Sequence, residues 1–201
     1  TETNLDTNNI NDNLHNYVNS ETSYKAIIED DANLLTEDEI NKLLDQMIPL
    51  TEYGHIAFVS IDYNDYSTSS YANTYYHEHF NQESGSIFLI DMDNREIYIF
   101  SDGSNYRTIT SSKAYSITDN IYTYATNKDY YTCASKAFSQ MNTLLAGGKI
   151  LEPMKYTSNA FLALIISFFL SFIFVLSHSK IKKASDKSII KNCDISFNIG
   201  N

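Results

Sequence analysis

Asp30, Asp31, Asp62, Asp91 and Asp93 are the residues whose type and spacing best suit chemistry in this chain. Each stands where an apolar or helical segment begins or ends. With the element order given below, the first helix runs antiparallel to the first strand, so its start at Asp30 and Asp31 comes near the strand's end at Asp62. A second, parallel strand ends at Asp91, and Asp93 follows in the turn. All five carboxylates then gather at one sheet edge, the usual ligand side of an α/β sheet. Such a set suits Ca²⁺, which takes about 6–8 oxygen ligands. The same residues have a plainer use: Asp30 and Asp31 cap a helix, and Asp91 to Asn94 form a turn. The sequence leaves both uses open.

Other candidates are weaker. His77-Glu78-His79 invites a zinc reading, but rings at i and i+2 of a helix point about 200° apart and cannot share one ion. Ser101 to Asn105 has one glycine and an acid, which argues against a phosphate loop, and Arg107 beside it reads as half of an ion pair. Cys133 lies in YYTCASKAF, the buried side of a helix, and reads as a core thiol. No nucleophile elbow is visible. Tyr53, Tyr63, Tyr66, Tyr71, Tyr75, Tyr76, Tyr122, Tyr124, Tyr130 and Tyr131 exceed what one small core buries, so some are expected at the surface, where Tyr suits protein or glycan contacts. The codon bias of an AT-rich genome explains them equally well, given Arg only at 95 and 107.

The elements that position these residues follow from pattern. Residues 1–24 are polar and Asn-rich and read as a flexible leader. Tyr24 to Ile28 leads into the fold. Thr36 and Glu39 form a capping box, and Ile40, Leu43, Leu44 and Met47 share one face, so a helix runs from about Glu37 to Met47, with Pro49 ending it. HIAFVSIDY is a buried strand, and 68–80 a helix. SIFLID and EIYIF pair as a hairpin across MDNR. SDGSN is a loop, and two helices span 111–125 and 129–146, stopped by Gly147-Gly148. The strand–helix–strand unit calls for a parallel, right-handed crossover. The fold class is α/β: a small three-layer sandwich with a central mixed sheet flanked by helices, followed by one transmembrane helix.

That last helix is FLALIISFFLSFIFVL, Phe161 to Leu176, with Ser167 and Ser171 its only polar side chains. The uncharged window around it, 156–179, is about 24 residues, enough to cross a bilayer as a helix. A buried core helix is the competing reading. Lys180, Lys182, Lys183, Lys187 and Lys191 follow the window, with only Asp186 among them, which puts the C-terminal side in the cytoplasm. The expected organisation is a leader over 1–24, an extracytoplasmic domain over 25–148, a linker over 149–158, a transmembrane helix over 159–178 and a basic cytoplasmic tail over 179–201. The chain begins at Thr1, so an export signal is expected to have been removed or left out. Net charge is −11, with the acid concentrated before the span. An acidic external domain excludes nucleic acid as a partner. Cys133 and Cys193 fall on opposite sides of the membrane and cannot bridge within one chain.

Six blocks in order, DDANLLTEDEINKLL, GHIAFVSI, STSSYANTYYHEHF, SGSIFLIDMDNREIYIFSDG, ITSSKAYSI and NKDYY, resemble a TPM domain. That family is also described as thylakoid-lumen phosphatase-like or photosystem-repair-like. The likeness covers about 28–146, and the span and basic tail resemble membrane-anchored bacterial members. The resemblance implies an α/β sandwich outside the cytoplasm, with roles in membrane-complex repair, receptor modulation, calcium binding or acid phosphatase activity. Two departures stand out. SDGSNY replaces a Gly-rich, acid-bearing loop, and Thr110-Ser111 replaces a Thr-Asp pair. Both remove acid from an inherited metal or phosphatase site. The expected function is therefore non-catalytic: the domain binds or modulates a membrane or envelope protein, with calcium as a candidate ion. A weak metal-assisted phosphatase using the carboxylate edge is the alternative.

Overall fold

The computed structural model describes residues 14–193. The first half of the leader, 1–13, and the end of the tail, 194–201, lie outside the described residues. Five strands form one sheet in the order β1-β2-β3-β4-β5: β1 (Leu14–Val18), β2 (Lys25–Asp30), β3 (His55–Ile61), β4 (Gly85–Asp91) and β5 (Glu96–Asp102). β2, β3 and β4 run parallel, while β1 and β5 pair antiparallel at the two edges. The helices are α1 (Glu37–Met47), α2 (Thr68–Phe80), α3 (Gly103–Thr108), α4 (Ser111–Thr126), α5 (Tyr130–Leu145) and α6 (Pro153–Cys193), with a short 3-10 helix at Ile48–Glu52 after α1.

β3 and β4 are buried along their whole length, so both faces of the sheet must be covered. Ile28, Ile56, Phe58, Phe88 and Ile90 face α1, α4 and α5. Ile27, Ala57, Val59, Ile87 and Leu89 face α2 through Ala72, Tyr75, Tyr76 and Phe80. This alternation is the period-2 pleat read directly in the core. β2, β3 and β4 are consecutive parallel neighbours, so α1 and α2 both carry the chain one step the same way across the sheet. Yet the two helices lie on opposite faces. The two crossovers are therefore of opposite hand, and the right-handed rule holds for only one of them.

The observed bounds of α1 and α2 are those read from the sequence. Glu39 reaches back to the Thr36 N–H and hydroxyl, both at 2.8 Å, and Ile40, Leu43 and Met47 are buried. Three expectations need correction. The leader is not flexible to residue 24, because Leu14–Val18 pairs with β2 as an edge strand. A turn then ties it down, with Asn19 Nδ2 donating to Thr51 Oγ1 at 2.9 Å and the Thr22 hydroxyl to the Thr51 carbonyl at 2.8 Å. The short lead-in at 24–28 is a full strand, β2. The SDGSN loop instead completes β5 and starts α3, capped by the Asp102 carboxylate on the Gly103 N–H at 2.7 Å.

α6 belongs to a second compact unit that begins at Met154. Within it Thr157–His178 is long and apolar enough to cross a membrane, and none of it is buried in protein. Ser167 donates to the Leu164 carbonyl at 2.8 Å and Ser171 to the Ser167 carbonyl at 2.9 Å. The two hydroxyls in the apolar stretch are thus satisfied by their own helix, as lipid requires.

Gly103 and Gly147 both hold left-handed backbone, φ 61° and 82°. A Cβ at Gly103 would lie 2.8 Å from the Ser84 Cα, whereas at Gly147 it would meet nothing within 4 Å. Gly147→Ala is expected to cost about 1–2 kcal/mol, the penalty of left-handed backbone alone. Gly103→Ala should cost more, by at least about 1 kcal/mol from overpacking. Urea midpoints at unchanged m-value measure both, and equal losses would contradict the crowding.

Candidate functional site

The carboxyl edge of the parallel strands carries Asp30 at the end of β2 and Asp91 at the end of β4, with Asp62 just past β3. In register, Asp30 lies beside Ser60, and Ile61 beside Asp91. Asp30 shares its face with Ala26 and Ile28, toward α1, while Asp91 shares the face of Ile87 and Leu89, toward α2. The two buried carboxylates thus point to opposite sides of the sheet.

Each is already occupied by donors. Asp30 accepts the backbone N–H of Leu34 at 3.0 Å and of Leu35 at 2.8 Å, and the Ser60 hydroxyl. It shapes the segment leading into α1. Asp91 is fully buried. One of its oxygens accepts the Asn94 N–H at 2.9 Å. The other accepts Asn64 Nδ2 at 2.7 Å, the Thr68 hydroxyl at 2.9 Å and Asn94 Nδ2 at 2.9 Å. Burial alone would raise the Asp91 carboxyl pKa, but the donors from Asn94, Asn64 and Thr68 outweigh it and hold the group below its ordinary value. Hydrogens aimed at a carboxylate from amides and a hydroxyl occupy the lone pairs a cation would need.

Asp93 accepts the Asn64 N–H at 3.1 Å, and Asp31, Asp62 and Asp93 are exposed. The gathering of five carboxylates expected from the topology therefore divides between two faces and the solvent. Among the described residues, no group of three or more His, Cys, Asp or Glu is placed to hold a metal ion. Asn64, Asn94 and Ser60, which complete these networks, were not singled out by the sequence, although Asp91-x-x-Asn94 carries the Asx signal of a turn.

His77 and His79 each donate from Nδ1 to a backbone carbonyl, of Asn81 at 2.6 Å and of Tyr75 at 2.9 Å, and so serve the last turn of α2. Cys133 is buried, and that burial pushes its thiol up to about 12. The tyrosines divide. Tyr75 and Tyr76 are core residues whose hydroxyls donate to Glu29 at 2.6 Å and to the Glu83 carbonyl at 2.5 Å. Tyr63, Tyr66 and Tyr122 are exposed, and so are Tyr106 and Tyr115, which the sequence reading passed over.

A recess that sequence pattern did not reveal runs between β5 and α4. One part, about 330 Å³, has Ile97, Ile99 and Ala114 at its base and Tyr115 and Tyr122 beside them. A second, about 500 Å³, continues past Met92 and Ala125 to Arg95 and Lys128. Both volumes are of ligand-site size.

Asp91→Asn tests the staple. It should lower stability at pH 7 by about 2–4 kcal/mol, since it removes charge-assisted bonds and faces donors with a donor. The folded pKa is depressed, so the stabilisation is present above the ordinary carboxylate range and is lost as pH falls through the folded value, below about 4. The wild-type chain should lose this increment there, and Asp91→Asn should not. Exposed Asp62→Ala should stay within about 0.5 kcal/mol. Denaturation followed from pH 7 to 2 checks all three.

Comparison with curated proteins gives no match. Among solved structures, the fold is similar to the solution structure of the N-terminal domain of a protein from P. gingivalis, with a TM-score of 0.55 at 12% identity, over 60% of this chain and 82% of that one. It is also similar to the solution structure of the BA42 protein from the psychrophilic bacterium Bizionia argentinensis, with a TM-score of 0.50 at 12% identity, over 56% and 82% of the two chains. At that identity the likeness concerns the fold. The family model of the TPM domain matches residues 28–144, the stretch from β2 to the end of α5 that builds both faces of the sheet, and the chain belongs to the TPM domain family.

Proposed function

We propose that this protein is a membrane-anchored binding module whose TPM domain lies outside the cytoplasm and binds or modulates another membrane or envelope protein. The TPM domain and the single candidate span at Thr157–His178 fit a single-pass membrane protein. The five lysines after the span favour a cytoplasmic C-terminus. The observation that carries the binding reading is the β5–α4 recess with Tyr115 and Tyr122 exposed beside it. Aromatic side chains around an apolar base are the usual composition of a protein-binding surface. Calcium and phosphatase chemistry draw no support from the carboxylate edge, whose buried members already serve the fold.

Orientation is tested by thiol labelling. A membrane-impermeant maleimide should label exposed Ser69→Cys on intact cells, and Cys193 only after permeabilisation. Cys133 should stay unlabelled, because its thiol is buried and its thiolate scarce. The reverse pattern would overturn the orientation.

Binding is tested in native membranes with a photo-crosslinking residue placed in turn at Tyr63, Tyr66, Tyr106, Tyr115 and Tyr122. A discrete adduct to one membrane or envelope protein from neighbouring positions is the expected result. No adduct from any of the five would overturn the binding reading.

A further inference from the structure

The edge strand β5 pairs with β4 on one side only. Alternate residues of an edge strand turn their N–H and C=O outward. Among the described residues, the backbone of Ile97 to Phe100 has no hydrogen-bond partner beyond β4. Natural edges are commonly blunted by a bulge, a proline or a covering loop. Here the strand is regular through the register Gly85↔Asp102 to Asp91↔Glu96. The recess against α4 runs along this edge.

Two cations mark one end of it. Arg95, just before β5, and Lys128, just after α4, line the same part of the recess. Both are exposed, and neither makes an ion pair or a side-chain hydrogen bond among the described residues. Arg95 and Lys128 thus place two cations at one end of the open strand.

We propose that β5 and α4 form a docking groove for an extended peptide that adds as a sixth strand, antiparallel to β5, with its C-terminal carboxylate on Arg95 and Lys128. The direction follows from charge. An antiparallel peptide ends at the Glu96 end of β5, where the cations stand, whereas a parallel one would bring its ammonium terminus against them. Backbone pairing supplies affinity in this mode, and alternate side chains supply selectivity. On the α4 side those side chains would meet Ile97, Ile99 and Tyr115. Glu96 lines the cation end as well and offsets part of its charge, while Asp119 lines the groove further along and disfavours acidic side chains upstream of the terminus. This inference rests on the binding reading above and names the partner's chemistry.

The test uses the full chain in detergent micelles. A library of random octapeptides with free C-termini is selected on it, and the enriched peptides are resynthesised both free and C-terminally amidated. Free peptides should bind, amidation should weaken them at least tenfold, and Arg95→Gln with Lys128→Gln should do the same while leaving the melting temperature unchanged. Hydrogen exchange should slow on binding within Glu96–Asp102. Enriched peptides that tolerate amidation, or that protect another region, would overturn the groove assignment and leave the binding reading in place. Failure to enrich any peptide, with membrane crosslinks still obtained, would also overturn this inference alone. Failure of both experiments would remove both readings.

Discussion

Everything in this domain follows from the burial of β3 and β4 on both faces. A strand such as HIAFVSI has no polar side to give to water, so each face needs its own cover. α1, α4 and α5 supply one and α2 the other. Because the chain steps in one direction from β2 to β4 while α1 and α2 lie on opposite faces, the two crossovers differ in hand. The same constraint decides the fate of the acids. Carboxylates at the ends of neighbouring parallel strands lie close along the edge, but the pleat sends them to whichever face their position dictates.

The legible parts of the sequence were those where one signal was strong. Thr36 with Glu39, followed by Ile40, Leu43 and Met47, defines α1 without help from tertiary structure. The hairpin of β4 and β5 follows from two apolar runs across a short turn. β2 was understated because Ala26, Ile27 and Ile28 are its only apolar residues, flanked by Lys25, Glu29 and Asp30. Its Asp30 is buried only because Leu34, Leu35 and Ser60 donate to it, which no local pattern announces. β1 is less legible still, since the side chains of His15 to Val18 are half-buried or exposed and its place is set by pairing with β2. The division of the carboxylates has the same root. Had β2 been recognised, counting along it would have put Asp30 with Ala26 and Ile28, and counting along β4 would have put Asp91 with Ile87 and Leu89. Those sets face opposite layers, so the division of the carboxylates was implicit in the sequence once both strands were known.

Asp91 also shows how one polar group organises several elements. Its carboxylate joins the end of β4 to the loop before α2 through Asn64, to the first turn of α2 through Thr68, and to the β4–β5 turn through Asn94. Buried charge is costly unless its lone pairs are filled. Filling them pins the turn from which β5 departs, and so fixes how that edge strand lies. The residue that looked like a ligand is, in position, a determinant of the surface on the other side of the turn.

An open strand edge is a liability in a free domain, because it pairs with whatever extended segment it meets. Attachment to a bilayer changes that balance. The candidate span of 22 residues, Thr157–His178, would confine the domain to the neighbourhood of other membrane-bound chains. Weak edge pairing, of little use to a freely diffusing protein, would then suffice for one held beside its partner. On the proposed docking, the cations at one end would add direction to an interaction that backbone pairing alone leaves promiscuous. On the reading proposed above, the candidate span and the open edge would serve one device, the first holding the domain beside its partner and the second pairing with it.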